Sequence, residues 1–470
     1  MRAMNRAVLA VLATALLPAC TVGPDYQRPA LPLPASYTEA GHTAGGDALI
    51  DRSWWQAFKD PLLDQLIEQA LRNNGDMQLA AARFEEAAAL MREAGASRLP
   101  EIGLATGATR TSVSSDTATP LPAGYPVLRP DYTANLNTSF ELDFWGRLRS
   151  ADATARALAL ASSYGRATVE LTIVAGVSQG YLSLRSLDAQ IAVAGDTLAT
   201  RGAALGIAES RHRLGAAGEL ELQQARTNRA LIESQLTELR QQRAAAEHQL
   251  ALLCATPGLA IAAGDLRQLP LPPLPPAGLP ASLLEARPDI RQAEAQLIAA
   301  NARIGVAKSA LFPTISLTGS LGSESKELSG LFAAKAGIWS VGLLPTLALF
   351  DSGKREARLE QANAQQQQAL AAYRQAVQAG FKEVRDALVA GHERGLAEQA
   401  TATQVEATAR GLELARKRHE AGYSAYLEVL DAQRAANDAS LAHIRNRQLR
   451  LVAAVDLFKA LGGGWRETRP

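Results

Sequence analysis

Reactive side chains are scarce in this chain: 2 cysteines, 6 histidines and 4 methionines among 470 residues. The histidines and methionines are scattered, so no cluster suited to handling a metal is expected. There is no G-x-S-x-G elbow, no H-E-x-x-H pair and no G-x-x-x-x-G-K-[ST] loop, the common signals of hydrolase, zinc-peptidase and nucleotide chemistry. Gly462-Gly463-Gly464 sits at the chain's end and opens no helix, which argues against a phosphate cradle. No enzyme and no cofactor are expected. Charge of one sign is missing too: 48 basic against 47 acidic residues give nothing to attract nucleic acid. After the first 20 residues no run approaches the roughly 20 apolar residues of a helical membrane span. Proline is absent from 131–256 and from 346–469, while 257–288 holds eight. Long helices are therefore permitted in the two arms and excluded from the middle.

What is present begins with an address. Arg2 and Arg6 precede an apolar run from Ala7 to Leu17, the layout of a signal peptide over residues 1–19. Leu17-Pro18-Ala19-Cys20 resembles a bacterial lipobox, in which Cys20 becomes the lipidated first residue of the mature chain. Pro18 is atypical there; the other reading is ordinary cleavage near Ala19 with a free thiol. Thr21, rather than Asp, after the cysteine resembles lipoproteins sent to the outer membrane. Residues 20–60 then form a lipid-anchored extended segment. With Cys20 acylated only Cys254 remains, so no intrachain disulfide is possible, and Leu252-Leu253-Cys254-Ala255 reads as a buried helical site.

The body of the chain is a tandem duplication. R-H-x-x-G-x-x-x-x-L-E occurs as Arg211-His212, Gly215, Leu220-Glu221 and again, 207 residues on, as Arg418-His419, Gly422, Leu427-Glu428. Gly146-Arg147 and Gly353-Lys354 keep that offset, whereas Asp76 and Leu99-Pro100 answer Asp289 and Phe312-Pro313 at 213, so the second copy has lost six residues in between. The first repeat spans 61–256 and the second 281–465, with a proline-rich connector over 257–280.

Helices are expected over 62–98, 147–213, 220–254, 281–311, 354–420 and 427–460. Each 67-residue member would be about 100 Å long and match two short ones placed end to end, with the connector at mid-height. Val169, Ile173, Gly176, Gly180, Leu184, Leu187 and Ile191 recur every 3.67 residues on average, the period of a nearly straight bundle. Ala225, Ile232, Leu236, Leu239, Ala246, Leu250 and Leu253 instead follow a heptad, as do Leu427, Leu430, Leu441, Ile444, Leu451, Val455 and Phe458.

Strand signals lie between the helices. Residues 132–144 alternate apolar and polar side chains at period two, 314–321 do the same, and 101–110 and 338–350 are weaker partners. A strand with one apolar and one Asn/Ser/Glu face fits a transmembrane barrel stave, lipid outside and water inside, although a soluble sheet packed on helices would alternate too. Trp145 and Trp339 near strand ends fit an interfacial girdle. Four strands cannot close a membrane barrel, so the sheet must close by association; three copies would supply twelve strands and twelve helical columns.

Five segments carry a specific resemblance: VGPDYQRP (22–29), ELDFWGRLR (141–149), RPDIRQAEAQLIAANARIGVAKSALFPTISLTGS (287–320), YLEVLDAQR (426–434) and ALGGGW (460–465). The chain resembles the outer-membrane efflux lipoproteins of the TolC-like, NodT/OprM type. The resemblance implies a mainly α fold with a membrane β-barrel contribution, in which a homotrimer forms a 12-stranded barrel continued by a 12-column periplasmic helical barrel. It also implies a passive exit duct fed by a periplasmic adaptor and an inner-membrane pump of the RND type, anchored in outer-membrane lipid. In such proteins the tube is pinched near a helix–helix turn; the matching positions here are Leu427, Glu428, Asp431 and Glu221, with Gly215 and Gly422 in the turns that meet the adaptor. Leu427 and Asp431 are i and i+4, on one side of a helix. A Leu427 collar with rings of Glu221, Glu428 and Asp431 would obstruct passage and favour cations. Ser424 and Ala425 occupy the turn, so the ion pairs that lock it in some relatives are not assumed. His212 and His419 read as residues shaping helix ends. The competing function is an envelope-spanning structural lipoprotein without a pore, which would have no use for polar strand residues such as Asn135, Asn137 and Glu141.

Overall fold

The computed structural model describes residues 22–32, 34, 37, 50–114, 116, 122, 124, 126–276 and 282–467; the signal peptide and Cys20 lie outside them. Among the described residues are eight α-helices: α1 (Pro61–Asn73), α2 (Gly75–Ala96), α3 (Arg147–Arg213), α4 (Glu219–Leu253), α5 (Leu283–Ala286), α6 (Pro288–Ser309), α7 (Lys354–Glu420) and α8 (Tyr426–Ala460). Four strands intervene: β1 (Glu101–Ser112) and β2 (Leu128–Glu141) before α3, β3 (Thr314–Ser325) and β4 (Gly337–Thr346) before α7. Two compact units result. Among the described residues, one comprises those within 22–29, 84–161 and 293–373, and the other those within 30–83, 162–292 and 374–467.

Both long helices run over the expected 67 residues. The expected helix 62–98 is instead two helices broken at Asn74, whose side chain caps α2 by accepting from the Asp76 and Met77 N–H groups at 2.8 and 3.3 Å. Asn74 Nδ2 also donates to the Leu253 carbonyl at the end of α4, 2.9 Å away. The expected helix 281–311 is likewise split before Pro288, and Arg287 donates to the Ala460 carbonyl at the end of α8, 2.9 Å away. Leu253 and Ala460 are one repeat offset apart, so the same end-to-end stacking of short helices is built twice, by an amide in one copy and a guanidinium in the other. Cys254 caps the end of α4, buried and free, with its thiol pushed up by burial.

The heptad face of α4 is the buried face: Ala225, Ile232, Leu236, Leu239 and Leu250 are all inside. On α8 the seam is buried from Leu430 to Phe458, but Leu427, expected on it, is 55% exposed. The main apolar core of the second unit joins Leu63, Leu66 and Ile67 of α1 to Val177, Tyr181 and Leu184 of α3, Leu250 of α4 and Leu451, Val455 and Phe458 of α8. Each large side chain so buried contributes roughly 1.5–3 kcal/mol over its exposed state. Trp54 stacks on Phe458 with ring centroids 5.0 Å apart, tying the entry segment to the end of the chain.

The sheet belongs to the other unit and is antiparallel throughout, in the order β1-β2-β3-β4. Its register sorts the side chains by face, as a period of two demands. Leu104, Leu136, Leu321 and Trp339 fall in one cross-strand row, flanked by Phe140, Leu317 and Leu343. On the opposite face Asn137, Ser320 and Ser340 share a row, and the two serine hydroxyls are 2.8 Å apart. Strand ends differ from expectation: β2 stops at Glu141 and β4 at Thr346. Trp145, just past the end of β2, stacks on Phe312 at 4.7 Å and donates to the Pro313 carbonyl at 2.8 Å. Trp339 remains 77% exposed on the apolar face.

Residues 22–28 form a strap docked on α6. Asn301 donates to the Pro24 carbonyl at 2.8 Å, and Arg28 makes a two-pronged contact with Glu294, both prongs 2.6 Å. Where the strap crosses the helix only glycine fits: a Cβ on Gly23 would lie 2.8 Å from Gly305 Cα, and one on Gly305 would lie 2.6 Å from Ser150 Oγ. Gly305→Val is therefore expected to lift the strap while leaving Arg28–Glu294 as its lower attachment. Limited proteolysis reads this directly: cleavage within residues 22–28 should accelerate, and a rate equal to wild type would mean that the close approach does not hold the strap.

Candidate functional site

The duplicated R-H-x-x-G-x-x-x-x-L-E motif builds the same structure twice, at the α3–α4 and α7–α8 turns. Gly215 and Gly422 take positive φ, 72° and 80°, just past the helix ends. The Gly215 N–H reaches the His212 carbonyl and the Ala216 N–H the Arg211 carbonyl; Gly422 and Tyr423 repeat this on His419 and Arg418. This is the Schellman closure, which needs a left-handed residue and so favours glycine. His212 Nδ1 then meets the Ala217 carbonyl at 3.1 Å and His419 Nδ1 the Ser424 carbonyl at 3.0 Å, so each ring donates across its turn. The histidines shape helix ends, as their place beside Gly215 and Gly422 suggested.

The arginine and glutamate of the motif also find each other. Arg211 Nη1 is 3.0 Å from Glu221, and Arg418 Nε is 3.3 Å from Glu428. Each glutamate sits in the first turn of its helix, where the dipole adds to its stabilisation. Two of the four candidate gate residues are thus compensated carboxylates. Ser424 and Ala425 gave no ground to assume an ion pair at the second turn; the pairs found are made by arginines ten residues before the glutamates, on the preceding helix.

Leu427 and Asp431 occupy a different surface. They line an open groove of about 550 Å³ between the first turns of α4 and α8, facing Leu220, Gln224 and Leu231. Asp431 is exposed and has no ion-pair partner among the described residues. Arg434 and Asp438 continue along the groove one and two turns further. At the back, Arg201 of α3 donates to Gln433 of α8 at 2.6 Å, and burial lowers its pKa. Burial raises the Tyr426 phenol, with Arg201 opposing. The Arg201–Gln433 bond carried no sequence signal, since neither residue repeats at the 207 offset. Among the described residues no group of His, Cys, Asp and Glu could hold a metal ion, and no helix is long and apolar enough to cross a membrane.

Known proteins of this form are channels. A family model described as outer membrane efflux protein matches residues 66–256 and 279–463. The toluene efflux pump outer membrane protein TtgF of Pseudomonas putida is 35% identical over 98% of this chain and 98% of its own. Outer membrane protein OprJ of Pseudomonas aeruginosa is 36% identical over 98% of this chain and 96% of its own. The crystal structure of the Campylobacter jejuni CmeC outer membrane channel superposes with a TM-score of 0.88 at 25% identity, covering 96% of each chain. The tandem repeat, the long helices and the strand pairs are those of this fold, and the chain belongs to the outer membrane efflux protein family.

Proposed function

We propose that three copies of this chain close into the outer-membrane exit duct of a tripartite efflux system, passing small molecules outward without chemistry of its own. The observation that carries the reading is the sheet: one apolar face, one polar face, and two outer strands, β1 and β4, each paired on one side only among the described residues. Closing those edges between copies satisfies every backbone group in lipid, which four strands alone cannot do. The polar row through Asn137, Ser320 and Ser340 then faces water inside a twelve-stranded barrel, and the helices continue it as a twelve-column tube in the periplasm. A periplasmic adaptor engages the turns at Gly215 and Gly422, and an inner-membrane pump of the RND type supplies the cargo. Leu427 narrows the mouth and Asp431 supplies its charge. The lipid on Cys20 anchors the trimer to the membrane it already spans.

Planar-bilayer recording of the purified protein tests the duct. A small, cation-selective current from inserted trimers is expected. Trimers that insert and carry none would leave the structural lipoprotein as the better reading. The lipid has its own test, because the docked strap 22–28 and the sheet hold the chain without it. Cys20→Ser behind a cleavable signal is expected to leave trimers in the outer-membrane fraction; their loss from it would make the acyl chain structural.

A further inference from the structure

A second groove, of about 480 Å³, lies where the sheet passes into the helices, lined by the first turns of α3 and α7 and the last turns of α6. Its polar lining is one-sided: the guanidiniums of Arg147, Arg303 and Arg358, the amides of Gln361 and Gln365, and the Thr154 hydroxyl, with no carboxylate. Its floor is apolar and made of small residues, Ala151, Val306, Ala307, Ala310 and Ala362. Glu141 already holds Arg147, which leaves Arg303 and Arg358 as the groove's uncompensated charges, while Asp143 pairs with Arg149, Asp351 with Arg355, and Asp152 with Arg98 and Arg156. Arg303 and Arg358 have no ion-pair partner among the described residues, and both are exposed.

Two observations fix the side on which this groove opens. Glu294, Asn301 and Gly305 hold the strap and fall on one face of α6 at i, i+7 and i+11. Arg303, Val306, Ala307 and Ala310 fall on the opposite face. Independently, Arg147 donates to Glu141 at 2.8 Å, and Glu141 pairs with Ser316 on the polar face of the sheet. The groove therefore opens on the side of the polar face, away from the strap.

We infer that this groove is a binding site for organic anions that carry an apolar group, a way-station for cargo of that class on the water side of the duct. The inference rests on the duct reading for its place in transport, but the binding itself does not. The Arg303 and Arg358 guanidiniums fork onto a sulfonate or carboxylate, and the alanine floor takes the apolar part. Asp431 lies in the other compact unit, so the acidic mouth and the arginine groove are separate charge stations on one chain.

The probe is 1-naphthalenesulfonate, titrated calorimetrically into the full-length trimer in lipid nanodiscs, with 1-naphthalenemethanol as the uncharged control and empty nanodiscs as blank. Saturable binding of the sulfonate and none of the alcohol is expected, weakened on the order of tenfold or more in R303Q/R358Q, as the loss of charge-assisted contacts requires. Equal binding by the double variant, equal binding of the alcohol, or no saturable binding overturns the proposal. So does dissociation of the R303Q/R358Q trimer on size exclusion, because that would assign both arginines to contacts between copies. Binding by a protein that carries no current would keep the anion site and remove the duct.

Discussion

Leu427→Ala/Asp431→Ala is expected to carry a single-channel current several-fold larger than wild type and to lose most of its cation selectivity. The two substitutions act on different quantities. Leu427 is a large apolar side chain standing 55% exposed at the start of α8, in a seam whose other members are buried. In the duct proposed above this half-exposed leucine narrows the passage, and its truncation to alanine is expected to cost little stability. Asp431 is one turn further on the same side and, unlike the two glutamates, has no ion-pair partner among the described residues, so in the proposed duct it carries the charge of the mouth. Glu221 and Glu428 differ in this respect, because Arg211 and Arg418 lie 3.0 and 3.3 Å away. Exposed pairs of this kind contribute only about 0–1 kcal/mol to stability, but they cancel charge locally. Glu428→Gln alone is thus expected to change selectivity much less than Asp431→Asn. Wild-type current from inserted Leu427→Ala/Asp431→Ala trimers would remove the gate from this turn. Equal effects of the two acidic substitutions would mean that the arginines do not compensate.

How much of this was legible in the sequence depended on whether the cause was local. Both long helices could be bounded to the residue because each is flanked by glycines that take positive φ, Gly146 and Gly215 for α3, Gly353 and Gly422 for α7. Strand faces were readable for the same reason, since alternation is set residue by residue. The breaks at Asn74 and before Pro288 were not read, although Pro288 is a local signal, because the apolar pattern runs through both. The local causes are the Asn74 cap and Pro288, and what fixes them in place is distant: the Leu253 and Ala460 carbonyls, which take a donor from the stacked helix. The contacts of Trp145 were not legible because its partners, Phe312 and the Pro313 carbonyl, belong to the other repeat. At the two helix–helix turns, the repeated motif exposed the arginines and glutamates but not their pairing, which exists only once each turn is folded. Asp431 and Leu427 came from the family resemblance, and the geometry distinguishes them from the two compensated acids.

Asp188→Ala is expected to be the most destabilising single change outside the apolar core. Asp188 on α3 has a side chain only 2% exposed and sits between Arg185, 3.2 Å away, and Arg243 of α4, 2.7 Å away. It also accepts the Gly264 N–H at 3.0 Å, fixing the proline-rich connector to the long helix. Both arginines reach onward to the same connector, Arg185 to the Ala262 carbonyl at 2.7 Å and Arg243 to the Ile261 carbonyl at 2.6 Å. Removing the carboxylate leaves two poorly solvated guanidiniums and one orphaned N–H, a loss of about 3–5 kcal/mol for a broken buried pair. Arg243 keeps Glu247 at 3.1 Å, which places the expected cost toward the lower end. Asp188→Asn can still accept from Gly264 and should fall between. Desolvation of the charges was itself costly, so Arg185→Met/Asp188→Leu, which removes one charge of each sign, should recover part of the loss. The readout is the temperature at which the purified oligomer loses its helical circular dichroism, compared at one protein and detergent concentration because association contributes to it. An Asp188→Ala protein that melts with wild type would show the connector to be held by its apolar residues, Ile261, Leu266 and Leu269, and not by the ion cluster.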